Sequence, residues 1–85
     1  MPDVVIYSTR YCGYCRAAKR LLVEEKGVEV REIDLTDDPA GRDALVARTG
    51  RTTVPQVFIG EHHVGGFTDL RDLDARGGLD PLLGR

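Results

Sequence analysis

The chain has 85 residues, 41% hydrophobic and 31% charged, with a formal net charge of −2. That length supports one modest core, so residues 1–85 are expected to form a single domain. No basic surplus points to nucleic acid and no apolar run reaches membrane-spanning length. Asp3 stands where a secretory signal would carry positive charge, so a cytoplasmic protein with reduced thiols is expected.

The continuous apolar run "VVIY" (Val4–Tyr7) predicts a strand buried on both faces. The cysteines, Cys12 and Cys15, follow in "RYCGYCR". From there Tyr14, Ala17, Ala18, Leu21 and Leu22 recur at helical spacing and predict an amphipathic helix ending at Gly27. "VEVREIDL" (Val28–Leu35) reads as a second strand whose alternation slips at Glu32 and Ile33, leaving its register open. "TDDPA" (Thr36–Ala40) supplies a cap and an early proline for a helix to about Thr49, with Ala44 and Leu45 as its thin apolar face. "PQVFIG" and "EHHVGG" predict two short strands around a Gly60–Glu61 turn. "TDLRDLDARG" (Thr68–Gly77) opens with capping residues and turns Leu70 and Leu73 inward, and "GGLDPLLGR" reads as a turn and tail. The order βαβαββα gives an α/β fold, a four-stranded mixed sheet with three helices packed on it.

Two thiols two residues apart admit four readings: a structural bridge, a metal site, a haem attachment or a redox couple. Zinc wants four protein ligands, and the adjacent His62 and His63 would point to opposite faces of a strand, so no metal site is expected. Haem attachment requires a histidine where Arg16 stands. A disulfide closing so small a loop stabilises little. A C-x-x-C between a strand and a helix in a βαβ unit is instead the thioredoxin-like redox signature. Cys12, at the first turn, meets unpaired N–H groups and the positive end of the helix dipole, which favour a thiolate. Cys15, one turn further in, keeps its proton longer. Cys12 is therefore the attacking sulfur and Cys15 the resolving one. Arg16, Lys19 and Arg20 early in the helix, with Glu24 and Glu25 late, oppose the macrodipole, and an anionic thiolate and substrate give that basic cluster a purpose.

Three further segments extend the likeness. "TVPQ" (Thr53–Gln56), "GGFTDL" (Gly65–Leu70) and "LDARGGLDPLL" (Leu73–Leu83) occur in order after the cysteine pair. With it they resemble the glutaredoxins, and over nearly the whole chain the bacterial glutaredoxin 3 class. The resemblance implies a thioredoxin-like fold and glutathione-dependent reduction of protein disulfides and glutathione mixed disulfides. It implies a cis Val54–Pro55 bond facing the cysteines, with Val54 backbone open to an incoming peptide. Thr53, Val54 and Pro55 would then line the glutathione site, with Tyr14 as part of its wall. Gly66, Phe67 and Thr68 would receive the γ-glutamyl carboxylate at a helix N-terminus, and Asp69 the amino group. A helix cap made by Thr68 and Asp69 uses the same groups and is compatible with that role. The implied partners are glutathione and disulfide-bonded or glutathionylated proteins, ribonucleotide reductase and sulfate-reducing enzymes among them. No nucleic acid or membrane partner is expected, and the chain is expected to act as a monomer. His62, His63 and Tyr7 read as surface or packing residues.

Two departures qualify the pattern. The commonest dithiol form has proline where Gly13 stands. In this family a small residue there accompanies some members that hold a [2Fe–2S] cluster between two protomers. That leaves an alternative reading as a cluster-binding dimer, with Cys12 and glutathione as ligands. Where many members carry lysine, contacting the glycine carboxylate of glutathione, this chain has Thr9. Arg10 is expected to take over that contact, with Gln56 and Arg51 as weaker candidates. A redoxin served by thioredoxin reductase would carry a Trp-Ser-Gly-Phe stretch at Gly65–Thr68, and the chain has no tryptophan.

Overall fold

The computed structural model describes residues 2–85. The chain runs through β1 (Val4–Ser8), α1 (Gly13–Arg20), a π-helical turn (Leu21–Glu25), β2 (Arg31–Asp34) and α2 (Pro39–Thr49). It continues through β3 (Gln56–Ile59), β4 (His62–Gly65), α3 (Phe67–Ala75) and α4 (Leu79–Leu82). The strands form one sheet in the order β2-β1-β3-β4, with β1 parallel to β2 and antiparallel to β3. This is the mixed sheet expected from the element order.

β1 is central, and its alternating residues serve two cores. Val4 and Ile6 join Ala18, Leu21, Leu22, Val57, Ile59, Leu70, Leu79 and Leu83 on the side of α1, α3 and α4. Val5 and Tyr7 pack on the other side against Leu35, Leu45 and Phe58, under α2. The unbroken apolar run follows directly, because both faces of this strand are covered.

Four expectations shift. The second strand is shorter than Val28–Leu35, because the preceding helix closes through it. Gly27 takes φ +65°, and the Val28 N–H turns back to the Leu22 carbonyl at 3.1 Å. That bond is the helix-closing pattern that places glycine just past a C-terminus, and it removes Val28 from the ladder. Within β2 only Ile33 points inward, which explains the broken alternation. On α2, Leu45 is buried but Ala44 is exposed. In its place Arg48 lays its guanidinium 4.0 Å over the Phe58 ring and donates to the Tyr7 hydroxyl. The third helix starts at Phe67, and its N-cap is Gly66 rather than Thr68. Finally, the C-terminal "tail" contains α4, whose Leu79 is buried together with Leu83 just beyond it. Lys26 bridges Asp74 and Asp80, at 2.7 and 3.2 Å, and so ties the end of the first helical run to α3 and α4.

The β3–β4 hairpin turns at Gly60–Glu61, as expected, with Gly60 at φ +59°. A bulge follows: Phe58 pairs with His63 but Val57 pairs with Gly65, so Val64 is extra. The bulge delivers Gly65 and Gly66 to the start of α3, beside the segment that leads into β3.

Candidate active site

The loop after β1 brings Cys12 to the start of α1. Cys12 is the N-cap, with extended backbone (φ −131°, ψ 108°). Its sulfur accepts the Cys15 N–H at 3.2 Å, as a serine or aspartate oxygen would in an ordinary cap. The same thiol lies 3.7 Å from the Val54 carbonyl oxygen, a weak S–H donation. The Val54–Pro55 bond is cis, as the resemblance implied.

Cys15 differs in every respect. It is 2% exposed, and burial pushes its thiol up to about 12, aided by its contact with Cys12 and opposed by a Thr9 backbone hydrogen bond. A hydrogen-bonded, half-buried sulfur thus stands in front of one that remains a thiol at neutral pH.

A groove of about 270 Å³ opens beside them, lined by Tyr14, Arg51, Thr53, Val54, Pro55, Gly66, Phe67, Thr68 and Asp69. Three larger hollows, of about 450, 580 and 320 Å³, lie by Val28 and Leu83, by His62 and Arg76, and along α1 by Arg16 and Val23. None of these is lined by a hydrogen-bond partner of the Cys12 sulfur, whereas the groove includes Val54, whose carbonyl lies 3.7 Å from it, so reactive sulfur and not size selects the groove. Tyr14 is 67% exposed and stacks on Phe67, centroids 6.1 Å apart. It forms a wall of the groove but adds nothing to the core, contrary to what its helical spacing suggested.

The groove carries one fixed ion pair. Asp69 Oδ2 accepts Arg51 Nη1 at 2.6 Å and the Gly66 N–H at 3.0 Å. The Arg51 guanidinium first, and the Gly66 N–H second, hold this carboxyl below its ordinary range. Asp69 is the N3 residue of α3 reaching back to the N-cap, and glycine, having no side chain, cannot return the bond. Gly65 takes φ +115°, and a Cβ there would run into both Asp69 and Arg51. Of the pair "GG", Gly65 is therefore the position that requires glycine.

Of the residues expected to bind glutathione, Tyr14, Thr53, Val54, Pro55, Gly66, Phe67, Thr68 and Asp69 meet in this groove, and Arg10 does not. Arg10 pairs with Asp37 at 3.1 Å, and its N–H donates to Thr36 Oγ1, so it leans toward the start of α2. Gln56 is fully buried, held by the Thr53 carbonyl and by His63 Nε2 at 2.7 Å. Arg51 is the cation in the groove wall. Its sequence signal was faint, because only folding sets the end of α2 against the start of α3. His63 stacks on Phe58, centroids 4.8 Å apart, which is a packing role. As for a cluster, Cys12 is the sulfur that could be offered outward, since Cys15 is enclosed. At Gly13 a Cβ would meet nothing within 4 Å.

The comparisons with known proteins agree with this geometry. A family model described as Glutaredoxin matches residues 4–64. The chain is 52% identical over 83 residues to Glutaredoxin 3 of Escherichia coli K12, covering 98% of this chain and 99% of that one. Among solved structures, a buckwheat glutaredoxin–glutathione complex superposes with a TM-score of 0.89 at 36% identity, covering 98% of this chain and 77% of that one. The solution structure of a Brucella melitensis glutaredoxin gives a TM-score of 0.86 at 49% identity, with coverages of 98% and 89%.

Proposed function

The chain belongs to the glutaredoxin family, and from that membership we infer that Cys12 and the groove beside it exchange thiols with glutathione-bearing disulfides. It is a glutathione-dependent thiol–disulfide oxidoreductase. The observation that carries the assignment of roles is the inequality of the two sulfurs. One caps a helix and borders a groove; the other is buried and stays protonated.

In this reading the Cys12 thiolate attacks the glutathionyl sulfur of a mixed disulfide. The substrate thiolate leaves, and Cys12 carries glutathione. A second glutathione thiolate then attacks the adduct, giving glutathione disulfide and free Cys12. For a protein disulfide, Cys12 attacks one sulfur, and Cys15 breaks the resulting intermolecular bond by attacking Cys12. The Cys15 N–H carries part of the charge on the Cys12 sulfur whenever Cys12 is the leaving group.

Charge complementarity supports the groove as the seat of the glutathionyl group. Glutathione brings two carboxylates and one ammonium. The groove offers the Asp69 carboxylate, the Arg51 guanidinium and the first-turn N–H groups of α3. Phe67 and Thr68 would meet the γ-glutamyl carboxylate and Asp69 the ammonium. Arg51 takes the place first given to Arg10 as the cation facing a carboxylate. Tyr14 and Phe67 would cover the tripeptide backbone, and Thr53, Val54 and Pro55 would run alongside it.

The protein substrates in this reading are disulfide-bonded and glutathionylated cytoplasmic proteins, ribonucleotide reductase among them, met by a monomer acting as one domain. No helix of the described residues is long and apolar enough to cross a membrane. The test is turnover with glutathione and its reductase on a glutathionylated peptide, with the thioredoxin reductase system run in parallel. Activity with glutathione that disappears in Cys12→Ser is expected. Activity retained without Cys12 overturns the reading.

A further inference from the structure

Behind the cysteine pair lies a second cluster that the exchange steps above leave unused. Ser8, 1% exposed at the end of β1, donates its hydroxyl to Glu32 Oε2 at 2.6 Å. Lys19 Nζ holds the other oxygen, Oε1, at 2.9 Å. Lys19 stands four residues beyond Cys15 on α1, so the two side chains lie one above the other on a single helix face. The cluster thus joins the face of α1 that bears Cys15 to β1 and β2. Cys15 meets Cys12 at its own helix start and the Thr9 backbone in the loop after β1, and the Glu32 carboxylate acts on it through space from β2, the smallest of these influences. Glu32 in turn faces Ser8, Lys19 and Asp34. Ser8 first, then Lys19, hold Glu32 as a carboxylate below its ordinary range, and its charge adds to the burial that keeps Cys15 a thiol.

We propose that Glu32 is a positioning residue for the resolving step: its charge, partly neutralised by Lys19, delays Cys15 and lengthens the life of the Cys12–glutathione adduct. The proposal rests on the exchange reading above. In the step concerned, Cys15 gives its proton to solvent and its sulfur attacks Cys12 Sγ. The Cys12–glutathione S–S bond breaks, glutathione leaves as a thiolate, and a Cys12–Cys15 disulfide forms, so no outside oxidant enters. The competing step is attack on the adduct by a second glutathione thiolate. Slow resolution favours that second route, so Glu32 inclines the chain toward deglutathionylation and away from the oxidised dithiol.

A like charge that moves a thiol by about one pKa unit changes its thiolate population by on the order of tenfold. Nucleophilicity falls as the thiol becomes more acidic, with a Brønsted slope of about 0.4–0.5, so the net change in rate is roughly threefold. The experiment mixes the reduced full chain with glutathione disulfide, quenches in acid, and follows adduct and intramolecular disulfide by mass spectrometry across pH. Adduct formation is expected to be the same in wild type and Glu32→Gln, and in Lys19→Gln resolution is timed from the completed adduct, whatever its rate of formation. Resolution should be roughly threefold faster in Glu32→Gln, with its rise beginning at lower pH, and slower by a similar factor in Lys19→Gln. The double variant should behave like Glu32→Gln alone. Single variants that move the rate in the same direction or leave it unchanged overturn the proposal, as does a Lys19→Gln effect that persists without Glu32. A merely structural role would lower thermal stability in both variants without opposing their rates. If wild type forms no adduct on Cys12, the exchange reading falls and this proposal with it. A normal adduct with unmoved resolution overturns the proposal alone.

Discussion

Two helices begin at the edge of the same groove, and they meet the same physical demand with different chemistry. Every helix start leaves N–H groups without partners and a partial positive charge. At α3 the demand is met permanently: Asp69 reaches back to the Gly66 N–H and is itself held by Arg51. At α1 it is met by the Cys12 sulfur, which accepts the Cys15 N–H and can leave for a substrate. The first turn of α1 contains no acidic residue, so no carboxylate competes with that sulfur. A fixed carboxylate makes a binding end; a sulfur in the same place makes a reacting end.

The largest effect should come from exchanging the sulfur at the α1 start. Cys12→Ser keeps a capping atom, so the fold should survive while reduction of glutathionylated peptide and of protein disulfide falls to background in the glutathione-coupled assay. Cys15→Ser should separate the two activities, removing protein-disulfide reduction and sparing deglutathionylation. Equal loss of both would break the contrast between the two sulfurs.

At the α3 start the expected effect is smaller. Asp69→Asn keeps a hydrogen-bond acceptor but loses the charge. Removing a charge-assisted bond of roughly 1.5–3 kcal/mol should raise the KM for glutathione by roughly ten- to a hundredfold, with kcat less affected. The same variant sharpens the comparison through pH. Because the folded carboxyl is held below its ordinary value, its stabilising charge is present above the unfolded value, about 3.9, and is lost as pH falls through the lower folded value. The difference in Tm between wild type and Asp69→Asn should therefore be constant from neutral pH to about pH 4.5 and shrink below about pH 4. A difference that closes nearer neutrality would contradict the Arg51–Asp69 pairing.

Between the two starts, Tyr14 bridges α1 to Phe67 of α3. It is largely exposed, so the low end of aromatic pairing, about 0.5 kcal/mol, applies, and Tyr14→Ala should raise the same KM about two- to threefold. The smallest effect belongs to Gly13, the first residue of α1. Cys12 already has the extended backbone that precedes proline, and a Cβ at Gly13 meets nothing. Gly13→Pro should add about 0.4–1 kcal/mol, a rise of a few degrees in the melting curve, with activity retained.

The α1 end was legible in sequence because its information is local: a strand, two cysteines and a helical period lie within one short stretch. The strands and the α3 motif were legible for the same reason. What stayed hidden depends on contacts between distant segments. Arg51 gains its place only when the end of α2 meets Asp69, and Arg10 loses its expected place because Asp37 and Thr36 fold in beside it. The "GG" pair showed that a close approach was coming, but not that Gly65 would make it. α4 was missed because "LDPLL" is too short to show a helical period, and its burial comes from the sheet beneath it.

β2 forms an outer edge of the sheet, and three of its four residues, Arg31, Glu32 and Asp34, are charged. An exposed edge is where sheets from separate molecules join and grow, and charge is the usual deterrent. During reduction of a protein disulfide, though not of a glutathione mixed disulfide, a protein working as proposed holds its clients on Cys12 until Cys15 resolves the bond, at high local concentration. The guarded edge lets it release them as readily as it takes them, rather than becoming the seed on which they assemble.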